Sequence, residues 1–212
     1  MRVFILSTGR NGSTTIARAC HHITNYSSGH ETLTKKFGKE RFQYPQNHIE
    51  SDNRLSWHLG QLDLLFGDNA FYVHLKRDRD AVAKSHMSRF YKKYSIIEAF
   101  CEGIRLTPTI KLNEAQKLQA CYDYIDTVNI NIEAFLANKT KTMEMSLENL
   151  AEDFQVFWNK IGAEGDFEKA MIDIKTRHNA TEQSGFNEVV TRYKMILIHE
   201  FKYIKHHLFK KN

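Results

Sequence analysis

The chain has almost no proline: Pro45 and Pro108 are the only two in 212 residues, which excludes a proline-rich spacer between domains. It has no run of about 18 apolar residues, so no membrane-spanning helix is predicted. Its three cysteines, Cys20, Cys101 and Cys121, stand far apart without a C-x-x-C pair. That spacing excludes a disulfide framework and predicts buried thiols in a reducing compartment. No charged leader with a long apolar core opens the sequence, so no signal peptide and a cytoplasmic location are expected. Internal repeats, low-complexity segments and metal-ligand spacings are also missing.

The composition that remains is that of an ordinary globular protein, 42% hydrophobic and 26% charged. The length fits a single domain over 1–212, with a C-terminal helix at about 187–209 packed on it. A formal net charge of +5 suits an anionic ligand or acceptor. The basic end from Lys202 to Lys211 reads as a solvated helix terminus rather than a nucleic-acid or membrane contact.

The most informative stretch is the first. Val3 to Leu6 is a β-rich apolar run, Ser7 to Thr14 is a Gly/Ser/Thr turn, and Ile16, Ala19 and Cys20 begin a helical period. Strand, tight loop and helix N-terminus together form a phosphate cradle. The unpaired N–H groups of the first helical turn and the positive end of the helix dipole attract a tetrahedral anion. Gly9 and Gly12 let the backbone approach, and Arg10, Asn11, Ser13, Thr14 and Thr15 are the candidate binding residues. The NTPase motif G-x-x-x-x-G-K-[ST] fails here, because Ser13 stands where its lysine belongs.

Thr24 to Asn47 reads as a polar irregular loop of a length that suits a lid or binding surface, and it holds His30 and Glu31 as acid/base candidates. Glu50 to Arg54 reads as a helix start that Ser51, Asp52 or Asn53 could cap, followed by a helical period from Leu55 to Phe66 that Gly67 ends. Phe71 to Leu75 reads as a buried strand and Asp80 onward as a helix. Arg77 leaves the carboxyl end of that strand, where ligands bind in open α/β sheets. Ser85 lies about two helical turns on and is expected to point to the same side. Helices are also expected at 94–106, breaking near Pro108, and at Glu114–Leu136, where an amphipathic stripe packs on the sheet.

Read together, the two stretches resemble the sulfotransferases that use 3′-phosphoadenosine-5′-phosphosulfate (PAPS), especially the small bacterial and carbohydrate-type members. In that family an Arg-x-Gly-[Ser/Thr]-Thr loop after the first strand holds the 5′-phosphosulfate, and a second strand ending in Arg-[Asp/Asn] with a later Ser holds the 3′-phosphate. Here Arg10-Asn11-Gly12-Ser13-Thr14 corresponds to the first, and Arg77-Asp78 with Ser85 to the second. Met143 to Leu150, followed by Phe154, Phe157 and Trp158, is similar to the family's late strand and E-x-L helix. The lysine near Arg10 and the C-terminal Arg-Lys-Gly loop of the cytosolic members are missing, and Arg177 and Asn179 are assigned to that loop's place.

The resemblance implies a three-layer α/β/α fold with a mainly parallel central sheet, of the P-loop-NTPase-like class. It also implies PAPS as co-substrate, no metal, and a small-molecule or saccharide acceptor. Arg10 would stabilise developing charge, and a base among Glu31, His30, Glu50 and His58 would deprotonate the acceptor. A P-loop kinase-like enzyme and a non-catalytic anion-binding module are the competing expectations.

Overall fold

In the computed structural model, residues 1–176 apart from Tyr91 and Lys93 are described, together with Leu197. The fold is α/β. Strands β1 (Arg2–Leu6), β2 (Ser27–His30), β3 (His48–Ser51), β4 (Ala70–Lys76) and β5 (Thr142–Ser146) form an all-parallel sheet in the order β2-β3-β1-β4-β5. Arg2 pairs with His48 on one side and with Ala70 on the other, which places β1 at the centre. Among the described residues the α-helices are α1 (Ser13–Cys20), α2 (Leu59–Phe66), α3 (Arg79–Met87), α4 (Ile96–Ala99), α5 (Glu114–Leu136), α6 (Leu150–Lys160) and α7 (Phe167–Lys175).

Alternation along the strands builds two cores. Val3 and Ile5 of β1, Ile49 of β3, and Phe71, Val73 and Leu75 of β4 face Ile16 and Ala19 of α1, Phe154, Phe157 and Trp158 of α6, and Ala170 and Ile174 of α7. On the opposite face Phe4 packs on Phe66 of α2 at 5.0 Å, and Tyr72 meets Phe135 of α5 edge-on, also at 5.0 Å. This two-sided covering is consistent with three α/β/α layers and explains why β1 and β4 are buried almost throughout.

Contacts divide the chain into two compact units. The first holds Met1–Ala83 and, among the described residues after the division, 122–176; it contains the whole sheet. The second holds Lys84–Cys121 among the described residues. There the helix expected over 94–106 is shorter, consisting of α4 and a π-helical turn at Phe100–Ile104. Tyr94 and Leu106 both take left-handed backbone, with φ of 64° and 52°, and so bracket it. The three cysteines are buried and free.

Two strands replace expected non-strand segments. The polar stretch 24–47 contains β2, and Glu50 and Ser51 belong to the fully buried strand His48–Ser51 rather than to a helix start. Its polar side chains are paired internally. The Glu50 carboxylate accepts from the Thr32 N–H at 2.8 Å, from the Thr32 hydroxyl and from His48 Nε2 at 2.9 Å. Asp52 caps the following 3₁₀ turn, Asn53–Trp57, by accepting from the Arg54 N–H. The helical expectation for 55–66 is met in two pieces, this turn and α2.

Burial alone would raise the Glu50 pKa, but the hydrogen bonds from His48 and Thr32 outweigh it and hold the carboxyl below its usual range. A depressed folded pKa contributes stability that is present above the unfolded value of about 4.3 and is lost as pH falls through the folded one. The melting temperature of wild type is therefore expected to exceed that of Glu50→Gln at pH 6, with the gap closing below about pH 4. A pH-independent gap would exclude this carboxylate as the source.

Candidate anion-binding site

The loop after β1 is fixed from inside. Ser7 Oγ accepts from the Gly9 N–H at 3.1 Å, and the Ser56 hydroxyl donates to the Ser7 carbonyl. Thr8 Oγ1 donates to Asn11 Oδ1, while Asn11 Nδ2 donates to the Leu75 carbonyl of β4 at 2.7 Å. Asn11 is buried, so its side chain tethers the loop to the next strand and only its backbone remains for a ligand. Tyr124 Oη donates to the Thr8 carbonyl at 2.8 Å from the α5 side.

The backbone between these tethers is left-handed at Gly9, Arg10 and Gly12, with φ of 76°, 65° and 90°. For Arg10 this is an uncommon conformation, and strain of this kind gathers at functional sites. A side chain on Gly12 would run into Leu147 Cδ1 at 2.6 Å. Gly12 starts α1 without a side-chain cap, so the N–H groups of Ser13, Thr14 and Thr15 have no partner within the helix. Ser13 and Thr14 are half-buried at the loop surface, whereas Thr15 is buried.

Arg77, at the carboxyl end of β4, donates through Nη1 to the Arg10 carbonyl at 3.0 Å. The two expected motifs therefore meet across adjacent parallel strands. At the other side of β1, Ser13 Oγ and His30 Nε2 lie 3.1 Å apart, the tautomer deciding which donates. Glu31 follows His30 with left-handed backbone (φ 55°), its N–H bonded to the Ser51 carbonyl at 3.1 Å and its Oε1 2.8 Å from Arg54 Nη1. Both members of that ion pair are about one-third exposed, at 32% and 34%, and so are open to exchange partners.

Four further residues at the site were not among the expected binding residues. Asn53 lies under Gly9, where an added Cβ would sit 3.1 Å from its Nδ2, and Arg54 pairs with Glu31. After β5, Leu147 packs on Gly12, and Glu148 Oε1 accepts from the Asp78 N–H at 3.0 Å. The partial burial of Glu148 works against its charge, yet the Asp78 N–H, the Ser146 hydroxyl and the Arg77 cation keep its carboxyl ionised below the usual range. Every contributing loop leaves the carboxyl end of a strand, the position where parallel sheets bind ligands.

The other two base candidates are already engaged. Glu50 is fully buried with its carboxylate filled, and His58 is paired through Nδ1 with Gln61 at 2.8 Å while its ring meets Phe42 edge-on. The buried Glu50 carboxylate, filled by Thr32 and His48, is closed to an acceptor. Ser85 is half-buried on α3, within the second unit. Arg177 and Asn179 lie outside the described residues, as does the C-terminal helix expected at about 187–209.

His74, Glu133 and Glu144 bring potential metal-ligand atoms within 4.8 Å of one another. Lys76 Nζ lies 3.0 Å from Glu133 and 2.7 Å from Glu144, so the chain's own ammonium already bridges the two carboxylates. No family model matches the chain, and no curated protein shows significant similarity to it.

Proposed function

We propose that the chain is a sulfotransferase that moves the sulfuryl group of PAPS to an acceptor hydroxyl or amine. The observation that carries this reading is the hydrogen bond from Arg77 to the Arg10 carbonyl, which joins one anion-binding loop to a second cation on the neighbouring strand. A ligand with two separate anionic groups, one at each motif, suits that pairing better than a single phosphate. The donor set fits it too: two guanidinium groups, first-turn amides and the Ser13 and Thr14 hydroxyls are all suited to anionic oxygens.

In this reading Arg10 and the amides of Gly12 to Thr14 stabilise charge that develops on the leaving 5′-phosphate oxygen. Glu31 takes the acceptor proton while the new bond from acceptor oxygen to sulfur forms and the bond from sulfur to that leaving oxygen breaks. Arg77 holds the 3′-phosphate, and 3′-phosphoadenosine-5′-phosphate is released. Positioning and charge stabilisation do most of the work, as in phosphoryl transfer.

The test is thermal shift with 3′-phosphoadenosine-5′-phosphate against ATP plus Mg²⁺. At about a hundredfold excess over Kd a ligand adds about 2.7 kcal/mol, which is several degrees for a chain of this size. The 3′-phosphorylated nucleotide is expected to stabilise wild type and not Arg77→Ala. Stabilisation by ATP plus Mg²⁺ alone would favour a kinase-like enzyme and sink the proposal.

A further inference from the structure

We infer that the loop 33–40, which leaves the candidate site directly after Glu31 and Thr32, contacts an anionic lipid–water interface. Its tip is Lys35-Lys36-Phe37-Gly38-Lys39-Glu40, and all six residues are exposed. Phe37 is 89% exposed, the most exposed large hydrophobic residue among those described. Three lysines against one glutamate leave the tip basic, and that glutamate is only 3.4 Å from Lys36, with both side chains more than half exposed.

Single exposed apolar residues are ordinary on protein surfaces. What distinguishes this one is that its loop cannot fold back to cover it. The near end is fastened by the Thr32 N–H and hydroxyl on Glu50 and by the Thr34 hydroxyl on Asp52 at 2.9 Å. The far end is fastened by Arg41, whose Nη2 meets Asp52 at 2.6 Å and whose Nη1 donates to the Tyr44 hydroxyl at 2.6 Å. Glu50 and Asp52 are fully buried, so both anchors are set in the protein interior. Gly38 has φ of 56° and open space where a Cβ would be, so the chain turns in solvent at the residue after Phe37.

An aromatic ring held out between lysines suits a surface with both negative charge and an apolar layer. A soluble polyanion would satisfy the lysines but leave the ring in water; an anionic bilayer takes up both. If the sulfotransferase proposal holds, the acceptor is then a group presented at such a surface, because the tip extends from the segment that carries His30 and Glu31. That consequence rests on the proposal, whereas the lipid contact itself does not.

The test is co-sedimentation of the full chain with phosphatidylcholine vesicles with and without phosphatidylglycerol. Wild type is expected to bind only those with phosphatidylglycerol, and less as salt rises. Phe37→Ser is expected to lower the partition coefficient about tenfold, and replacement of Lys35, Lys36 and Lys39 together by Gln about a hundredfold. All these side chains are exposed, so melting temperatures should stay at the wild-type value and rule out misfolding. Absence of a phosphatidylglycerol dependence overturns the inference. So does binding that Phe37→Ser leaves unchanged, which would locate it elsewhere, for example in the basic stretch 202–211. The nucleotide thermal shift on the same preparations reads the sulfotransferase proposal separately, so either can fail alone.

Discussion

Glu31→Gln is expected to lower PAPS turnover by roughly 10²- to 10⁴-fold, the usual contribution of a general base. Nucleotide binding should be unchanged. Gln keeps the shape of Glu31 and can still accept a hydrogen bond from Arg54, 2.8 Å away, but it cannot take a proton. Because the backbone of Glu31 is left-handed and anchored to the Ser51 carbonyl, the substitution should leave the loop in place. Turnover would be followed with a simple hydroxyl acceptor such as 4-nitrophenol or a hexose, and binding by the thermal shift with 3′-phosphoadenosine-5′-phosphate. His30→Asn is the companion variant, since His30 Nε2 lies 3.1 Å from Ser13 Oγ. If His30→Asn loses turnover and Glu31→Gln does not, the base is the histidine.

Asp52→Ala is expected to destabilise the protein by about 3–5 kcal/mol, the cost of leaving a buried charge without its partner. Asp52 is fully buried and accepts from Arg41, from the Thr34 hydroxyl and from the Arg54 N–H. Its removal strands the Arg41 guanidinium, whose side chain is only 7% exposed. For a chain of this length the melting temperature should fall by roughly 10 °C. Arg41→Met added to Asp52→Leu should recover much of the loss, because an apolar pair of similar volume is often neutral in place of a buried ion pair. A single-variant loss under about 1 kcal/mol, within the range of a surface pair, would show that Arg41 reaches water once its partner is gone.

The parts of the fold that were legible in the sequence are those whose apolar spacing agrees with their position. β1, β4 and α5 carry runs or stripes that match their burial, and α5 covers the expected residues Glu114–Leu136. β2 and β3 were not legible because Ser27–His30 and His48–Ser51 are mostly polar, with Ile49 as the only aliphatic side chain. They are strands because Glu50 and His48 find hydrogen-bond partners inside the protein, and two of those, Thr32 and Ser27, lie 18 and 21 residues away.

The same cause divides the site. Arg10, Ser13 and Arg77 stand next to glycine turns or strand ends and could be picked out locally. Asn53, Arg54, Leu147 and Glu148 matter through the strand order, which sets β3 beside β1 and β5 beside β4. No local pattern carries that order.

The central place of β1 also has a kinetic consequence. β1 precedes both strands it pairs with, which begin only at His48 and Ala70. Val3 to Leu6, fully buried in the finished protein, have no strand partner until β3 has emerged and keep one edge open until β4 has. Sheets closed by such distant pairings fold slowly and expose apolar strand edges meanwhile. The segment that leads into the candidate anion cradle therefore stands to gain from a chaperone during synthesis.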